Sequence, residues 1–132
     1  MRSVSIIAVT FGLAVLVGCG SSNKLAEVSG TVTIDSQPLS DGQIVFEAAD
    51  GNTTPVGGTI KGGQYSLKVL PGAKKVKITA SRPGKKIDPV MGAAPMEPLV
   101  GPEYNTNTKL TADIQPGVNA NVNFEVKALP NP

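Results

Sequence analysis

The amino-acid sequence predicts an all-β domain, a two-sheet antiparallel sandwich of seven strands, and three observations lead to this prediction. Its 15 Gly and 11 Pro occupy 26 of 132 positions, well above the ordinary share of roughly 12%, which is typical of short strands joined by tight turns. Apolar and polar side chains alternate along much of the chain, the period of a strand with one buried face. No segment beyond the first 18 residues shows the 3.6-residue period of an amphipathic helix.

The first four predicted strands alternate clearly. Residues 27–34 place Val, Gly and Ile on one face and polar side chains on the other. Residues 43–49 carry isoleucine, phenylalanine and alanine on one side, residues 56–60 form a shorter strand, and residues 65–69 alternate Tyr, Leu and Val. Turn residues separate these strands and lie at 35–38, 50–52 and 61–63. Gly-Gly in the last turn suits the positive φ angles of a tight hairpin.

Three further strands are predicted in the second half of the chain. A Pro-Gly turn at 71–72 precedes residues 75–80, in which apolar residues alternate with lysines and threonine. Residues 110–114 alternate in the same way, and a second Pro-Gly turn leads into residues 118–126. The spacing of the seven strands is typical of a two-sheet sandwich.

Residues 82–108 form a long Pro-rich loop that breaks the pattern. Five prolines exclude a central strand there; they are Pro83, Pro89, Pro95, Pro98 and Pro102. The segment also holds two methionines, Leu99 and Val100, so it is too apolar for a simple linker. We expect a packed crossover that covers a sheet edge, with a ligand-contacting loop or disorder as the alternatives. Tyr104 is a candidate corner residue whose hydroxyl bonds nearby backbone.

The first 18 residues have the organisation of a secretory signal peptide. Arg2 supplies a positive charge, and residues 4–17 are a run of 14 without a charged side chain. This run is too short to cross about 30 Å of hydrocarbon as a helix. It ends at residues 16–19, Leu-Val-Gly-Cys, which resemble the lipobox of bacterial lipoprotein signal peptides. The alternative is an ordinary secretory peptide followed by a buried cysteine.

The lipobox resemblance implies a covalent lipid anchor on Cys19. In that family the thiol receives a diacylglyceryl group, cleavage falls between Gly18 and Cys19, and the new amino terminus is N-acylated. Two or three acyl chains bind a membrane stably, whereas one chain alone is marginal. The predicted organisation is a lipoprotein signal peptide at 1–18, the lipidated cysteine and a short tether at 19–25, and the β-sandwich domain at 26–132.

The predicted location is the cell envelope, close to a lipid surface. Residues 20–24 reach at most about 18 Å when fully extended, so the domain stays near the bilayer. Gly20 stands where lipoproteins retained at the inner membrane often carry Asp. An exported lipoprotein on the outer membrane or the cell surface is therefore favoured over the inner membrane.

Several short motifs of the domain resemble the carboxypeptidase regulatory-like domain. They are Gly30-Thr31-Val32, Gln37-Pro38-Leu39, Ile44-Val45-Phe46, Gly63-Gln64-Tyr65-Ser66-Leu67 and Leu70-Pro71-Gly72. The resemblance covers about residues 27–81 and implies a seven-stranded transthyretin-like (prealbumin-like) sandwich of immunoglobulin-like architecture. It also implies a noncatalytic folding or interaction module. The sequence departs from the family at Gly62, where an acid is usual, and at Lys74 and Lys75, where an aromatic residue often follows the Pro-Gly turn.

The composition argues against catalysis and metal binding. The chain has no His and one Cys, so it lacks the commonest general base, the commonest transition-metal ligand and any thiolate cluster. Four residues near turns carry oxygen ligands, but their spacing matches no calcium loop; they are Asp35, Asp41, Asp50 and Asn52. We expect no enzyme activity, no metal site and no cofactor apart from the covalent lipid on Cys19.

Positive charge is concentrated in one part of the chain. Residues 61–86 hold eight cations and no acid, and six cations lie within 13 residues: Lys74, Lys75, Lys77, Arg82, Lys85 and Lys86. The six are either a solvated, aggregation-resistant strand face or a contact surface for anionic headgroups or an acidic envelope polymer. Nucleic acid is not an expected partner, because an exported chain with 4% aromatic residues offers few stacking platforms.

The function predicted from these observations is that of a lipid-anchored envelope or surface protein, a noncatalytic protein-interaction or structural module. Its expected partners are the membrane, through the anchor, and another envelope protein. The alternative is a module that binds carbohydrate, an anionic polymer or lipid headgroups, although the absence of Trp removes the side chain that sugar platforms favour most. An unfamiliar hydrolase is a third alternative.

Overall fold

The computed structural model of the protein describes residues 24–130, and in this range the regular structure is almost entirely β. The range contains β1 (Ala26–Ile34), β2 (Gln37–Pro38), β3 (Asp41–Ala48), β4 (Val56–Lys61), β5 (Gln64–Val69), β6 (Gly72–Thr79), β7 (Ser81–Pro83), β8 (Met96–Pro98), β9 (Thr111–Ile114), β10 (Val118–Asn119) and β11 (Phe124–Val126). A single 3₁₀ turn, Pro102–Tyr104, completes the regular structure of this range. The predicted signal peptide and Cys19 lie outside the described residues.

One curled sheet carries most of the strands. Its order is β10-β1-β5-β4-β3-β6-β9, and β2 and β11 pair with the second half of β1. Pairing is antiparallel throughout this sheet except for β10 and β11, which run parallel to β1. β7 and β8 form a separate antiparallel ribbon. The all-β class with antiparallel sheets, predicted from the sequence, is confirmed.

The inward face of the sheet encloses an apolar core, as the alternation predicts. Buried side chains occupy alternate positions of β3, β5 and β6. The ring of Phe46 lies with its centroid 6.1 Å from that of Tyr65 and 6.3 Å from that of Phe124. Aromatic pairs at such separations contribute about 0.5–1.5 kcal/mol beyond the burial of their surface. These three rings therefore tie β3, β5 and β11 together.

The continuous strand predicted at 118–126 is broken in the structure. β1 advances from Glu27 to Val32 while its parallel partner advances from Val118 to Phe124, so the partner carries one extra residue. The extra residue is accommodated at Asn121, which has a φ of 58°. This is a left-handed conformation that asparagine tolerates better than most residues. The break brings the backbone of this segment over the inward face of β1.

Gly30 makes room for this break. A Cβ atom at Gly30 would overlap the carbonyl oxygen of Val122. The amide of Val122 donates to the carbonyl of Ser29 at 3.0 Å, and the hydroxyl of Tyr65 donates to the carbonyl of Val122 at 2.6 Å. Tyr104 instead packs against the core; among residues 24–130 the tyrosine hydroxyl bonded to backbone is that of Tyr65.

The segment predicted to be a Pro-rich loop contains two different parts. Leu99 and Val100 pack against the core, and Val100 bridges to Ala128, which is the behaviour expected of a crossover. The part between β7 and β8 extends beyond the main sheet, and its apolar side chains are exposed rather than packed on an edge. The prolines stand in the short β7–β8 ribbon and in turns, where a missing amide donor is tolerated.

The strand directions define two ends of the domain. β1 and β6 run the same way, because the four pairings that lead from β1 through β5, β4 and β3 to β6 are all antiparallel. The beginnings of both strands therefore share one end, which we call the Ala26 end; it contains Ala26, Val69, Lys74 and Val118. β6 finishes at the opposite end, where β7 and β8 continue, and we call this the hairpin end.

Candidate functional site

Six cations were predicted to form a contact surface for anionic groups. Three of them lie on β6, and the alternation of this strand places them on two different faces. Lys75 and Lys77 point outward, whereas Lys74 points inward with Val76 and Ile78 and is only 5% exposed. Successive side chains of a strand face opposite sides of the sheet, so three lysines close in sequence do not share one surface. Lys74 lies on the core side at the Ala26 end.

The outward lysines are partly neutralised by an acid on the neighbouring strand. The ammonium of Lys77 lies 2.8 Å from a carboxylate oxygen of Glu47. The hydrogen bond from Lys77, its positive charge and the weaker attraction of Lys75 hold the pKa of Glu47 below its ordinary value. This face of β3 and β6 therefore carries less net charge than the sequence alone indicates.

The remaining three cations lie toward the hairpin end. Arg82 donates from Nη1 to the carbonyl of Leu129 at 3.2 Å and from Nη2 to the carbonyl of Pro130 at 2.9 Å. It therefore holds the segment that follows β11 against β7. Lys85 and Lys86 follow β7 in the connection to β8. The structure thus keeps Lys85 and Lys86 together and separates them from Lys75 and Lys77 along the length of β6.

The connection between β7 and β8 forms an ordered turn, and together with Met96, the first residue of β8, we call it the hairpin tip (residues 84–96). Its base is closed by a hydrogen bond from the amide of Gly84 to the carbonyl of Pro95, at 2.8 Å. At its apex the carboxylate of Asp88 accepts from the amides of Val90 and Met91, at 2.7 and 3.1 Å. An aspartate that caps a turn in this way fixes the backbone locally.

The hairpin tip presents apolar side chains to solvent. Val90 is 92% exposed and Met91 is 80% exposed, and Ile87 and Met96 are exposed as well. Single exposed apolar residues are ordinary, but a group within ten residues is typical of an interaction surface. The sequence analysis missed this group because it expected the apolar residues of the segment to pack on a sheet edge. The turn-forming residues at 88–92 could have indicated this group, because they predict a bend that carries Val90 and Met91.

A groove on the outer face of β3 and β6 borders the hairpin tip. It consists of two depressions, of about 610 and 460 Å³, that share Thr79 and Met96. One is lined also by Val45 and Lys77, and the other by Asp41. The groove therefore offers apolar and charged groups next to the exposed tip.

A second groove, of about 530 Å³, lies on the outer face of β1 and β5. Hydroxyl, amide and ammonium groups line it, from Ser29, Thr31, Thr59, Lys61, Gln64, Ser66 and Asn121. Tyr65 also borders this groove but is 4% exposed and bonds Val122 through its hydroxyl. Polar side chains thus line this groove, although apolar atoms make up most of its surface, and it lacks an exposed aromatic ring.

Residues 24–130 contain neither a metal-binding cluster of side chains nor a membrane-spanning helix. No group of three or more His, Cys, Asp or Glu side chains in this range is placed to hold a metal ion. Within the same residues, no helix is long and apolar enough to cross a bilayer. The two grooves described above are lined by apolar side chains, hydroxyls, amides, lysines and the carboxylate of Asp41.

The comparisons with known proteins assign no family to this chain. No family model matches the sequence. No curated protein matches it either. Among solved structures, a DUF3823 family protein from Parabacteroides merdae ATCC 43184 is similar at 12% sequence identity and a TM-score of 0.43. The match covers 83% of this chain and 48% of that protein, so this chain spans about half the length of the neighbour.

Proposed function

We propose that this chain is a lipid-anchored envelope protein whose β-sandwich domain presents the hairpin tip to a partner protein, without catalysis. The observation that carries the proposal is an ordered turn with exposed apolar side chains at the end of the domain opposite Ala26. The chain enters the domain at the Ala26 end, so a lipid on Cys19 would hold that end toward the bilayer. The hairpin tip would then face away from the membrane.

The finer fold we propose is the seven-stranded, two-sheet, transthyretin-like sandwich of immunoglobulin-like architecture. Seven strands support it when the broken strand is counted once: β1, β3, β4, β5, β6, β9 and the pair β10 and β11. The curl of the sheet around a common core supports a division into two layers. The lipoprotein and carboxypeptidase regulatory-like relationships are part of the same proposal and rest on the sequence motifs.

The chemistry of the hairpin tip favours a protein with an apolar depression bordered by acids. Burial of Val90 and Met91 would stabilise a complex by about 25 cal/mol per Å² of apolar surface, and methionine adapts its shape to irregular partners. Lys86 follows β7 beside these residues and would attract acidic groups at the rim. Because Asp88 already fixes the backbone, binding would cost less ordering of the loop.

Site-specific cross-linking of the full lipoprotein in its own cells tests the proposal. We expect a photoreactive amino acid at position 91 to give an adduct with one defined protein. Position 118 is the matched control, because Val118 is 74% exposed but lies at the Ala26 end. Lys86→Glu is expected to reduce the adduct from position 91 several-fold. The absence of an adduct at 91, or the same adduct from both positions, would contradict the proposal.

The polar groove on β1 and β5 supports a second candidate function, binding of carbohydrate or an anionic polymer. The hydroxyl and amide groups around Gln64 and the ammonium of Lys61 suit such a ligand. The same alternative includes the binding of anionic lipid headgroups at the outward lysines of β6. A glycan or polymer that binds the Val90→Ser, Met91→Ser protein normally, but not the Gln64→Ala protein, would favour this function over the first.

A further inference from the structure

The Ala26 end of the domain holds a partly enclosed cavity that the proposed function does not use. Its volume is about 250 Å³, and its lining is mostly apolar, from Leu25, Phe46, Val56, Val69 and Leu70. Thr53 and Thr54 lie at its exposed mouth, and Lys74 completes the lining. An apolar cavity with few polar groups is the usual form of a small-molecule site.

Lys74 supplies the single charge of this lining, and it is unusually placed. The residue is 5% exposed; its ammonium keeps some contact with solvent and forms no hydrogen bond or ion pair within residues 24–130. Lysine is almost never so buried unless its charge is paired. The sheet places it there because the inward face of β6 begins at this residue.

Asp50 is an acid whose charge interacts with Lys74. Asp50 accepts a hydrogen bond from the amide of Asn52 at 3.0 Å. Its pKa is lowered mainly by hydrogen bonds from Asn52, and Lys74 adds a smaller attraction. Asp50 stands in the exposed turn after β3, outside the lining of the cavity. Within residues 24–130 Lys74 and Asp50 attract each other without forming an ion pair, so the ammonium keeps hydrogen-bond donors for a further anion.

We infer that this cavity binds a small apolar carboxylate, whose anionic group pairs with Lys74 and whose apolar body lies among the aliphatic side chains. At about 30 Å³ for each water-sized group, the cavity accommodates roughly eight non-hydrogen atoms, the size of hexanoate. The hydroxyls of Thr53 and Thr54 are available for the second carboxylate oxygen. A neutral alcohol would leave Lys74 unpaired, and an amine would meet a like charge.

Methyl NMR of the full chain in phosphatidylcholine nanodiscs, titrated with hexanoate, tests the inference. We expect hexanoate to shift the methyl signals of Leu25, Val56 and Val69 but not that of Val126, which lies in β11. Hexanol and hexylamine have the same body without the anion, so each is expected to bind at least about tenfold more weakly, because charge-assisted hydrogen bonds are stronger than neutral ones. No shift with hexanoate, or equal shifts with hexanol, would overturn the inference.

The matched variants are Lys74→Met and Lys75→Met, two adjacent residues on opposite faces of β6. Lys74→Met is expected to weaken hexanoate binding at least about tenfold while leaving hexanol binding unchanged, and Lys75→Met is expected to change neither. Hexanoate affinity that survives Lys74→Met would contradict the inference. If Lys74→Met does not fold, the comparison of hexanoate with hexanol on the unaltered chain decides. Neither variant alters the hairpin tip, so this result and the cross-linking result are separate.

Discussion

At the scale of single residues, moving one position along a strand exchanges the buried face of the sheet for the exposed one. Lys74 and Lys75 are adjacent residues of the same type, yet Lys74 lines a cavity and Lys75 faces solvent. The alternation that correctly places Val76 and Ile78 in the core also predicts an inward Lys74. The sequence analysis grouped the cations by their closeness along the chain. The inward position of Lys74 was therefore overlooked, because a lysine is normally assumed to face solvent.

Tyr65 illustrates a residue whose burial makes stability depend on pH. Burial raises its pKa well above the ordinary value of 10, because the interior disfavours the phenolate. The folded state therefore retains the phenol proton at alkaline pH, when the unfolded state has lost it. The stability contributed by neutral Tyr65 is complete below about pH 10 and is lost as the pH rises above that value.

Tyr65→Phe is expected to lower the free energy of unfolding by about 1–3 kcal/mol at neutral pH, because the carbonyl of Val122 loses its hydroxyl partner. It is also expected to flatten the alkaline loss of stability. Urea unfolding at about pH 8 and about pH 11 measures both effects. Tyr104→Phe is the control, since the hydroxyl of Tyr104 makes no hydrogen bond within residues 24–130. Equal alkaline losses in the unaltered protein and in Tyr65→Phe would contradict this account.

At the scale of elements, the long alternating strands could be predicted and the short ones could not. β3, β5 and β6 carry their own signal, since each buries alternate residues against the core. β2, β7 and β8 have two or three residues each, too few for a period. They exist because a neighbouring strand pairs with them. The break between β10 and β11 likewise depends on Gly30, which is distant in sequence.

The turn of the hairpin tip has a signal in the sequence, but the exposure of its apolar side chains could not be predicted, for a similar reason. The same kind of apolar residue packs on the core at Val100 and is exposed at Val90. The difference is set by where the β7–β8 ribbon leaves the sheet, and this follows from pairing between Ser81 and Pro98. Composition shows that the segment is apolar but not which part of it reaches the core.

Asp88 is expected to keep the hairpin tip in the conformation that we propose for binding. Asp88→Ala removes the acceptor of the Val90 and Met91 amides and is expected to accelerate hydrogen exchange at these amides at least several-fold. Global stability should fall by less than about 1 kcal/mol, because the tip is a surface turn. Asp88→Asn keeps a side-chain oxygen and should restore most of the protection. Unchanged exchange in Asp88→Ala would show that the turn is fixed by other contacts.

At the scale of the whole molecule, the direction of the strands separates the two proposed activities. The cavity and the entry of the chain share the Ala26 end, and the exposed apolar tip lies at the other. The nine residues of β1 span about 30 Å at roughly 3.3 Å per residue. This exceeds the reach of about 18 Å available to residues 20–24. An anchor on Cys19 would therefore bring the Ala26 end to the bilayer surface more readily than the hairpin end.

The anchor itself gives the last prediction, which concerns the position of the domain relative to the bilayer. Cys19→Ser removes the thiol that would carry the diacylglyceryl group, so the variant is expected to leave the membrane fraction or to persist as an uncleaved precursor. In the unaltered protein, a probe at position 118 is expected to be quenched by nitroxide-labelled headgroups more strongly than a probe at position 91. Membrane association and lipid labelling that survive Cys19→Ser would refute the anchor, whereas equal quenching at both positions would refute only the orientation.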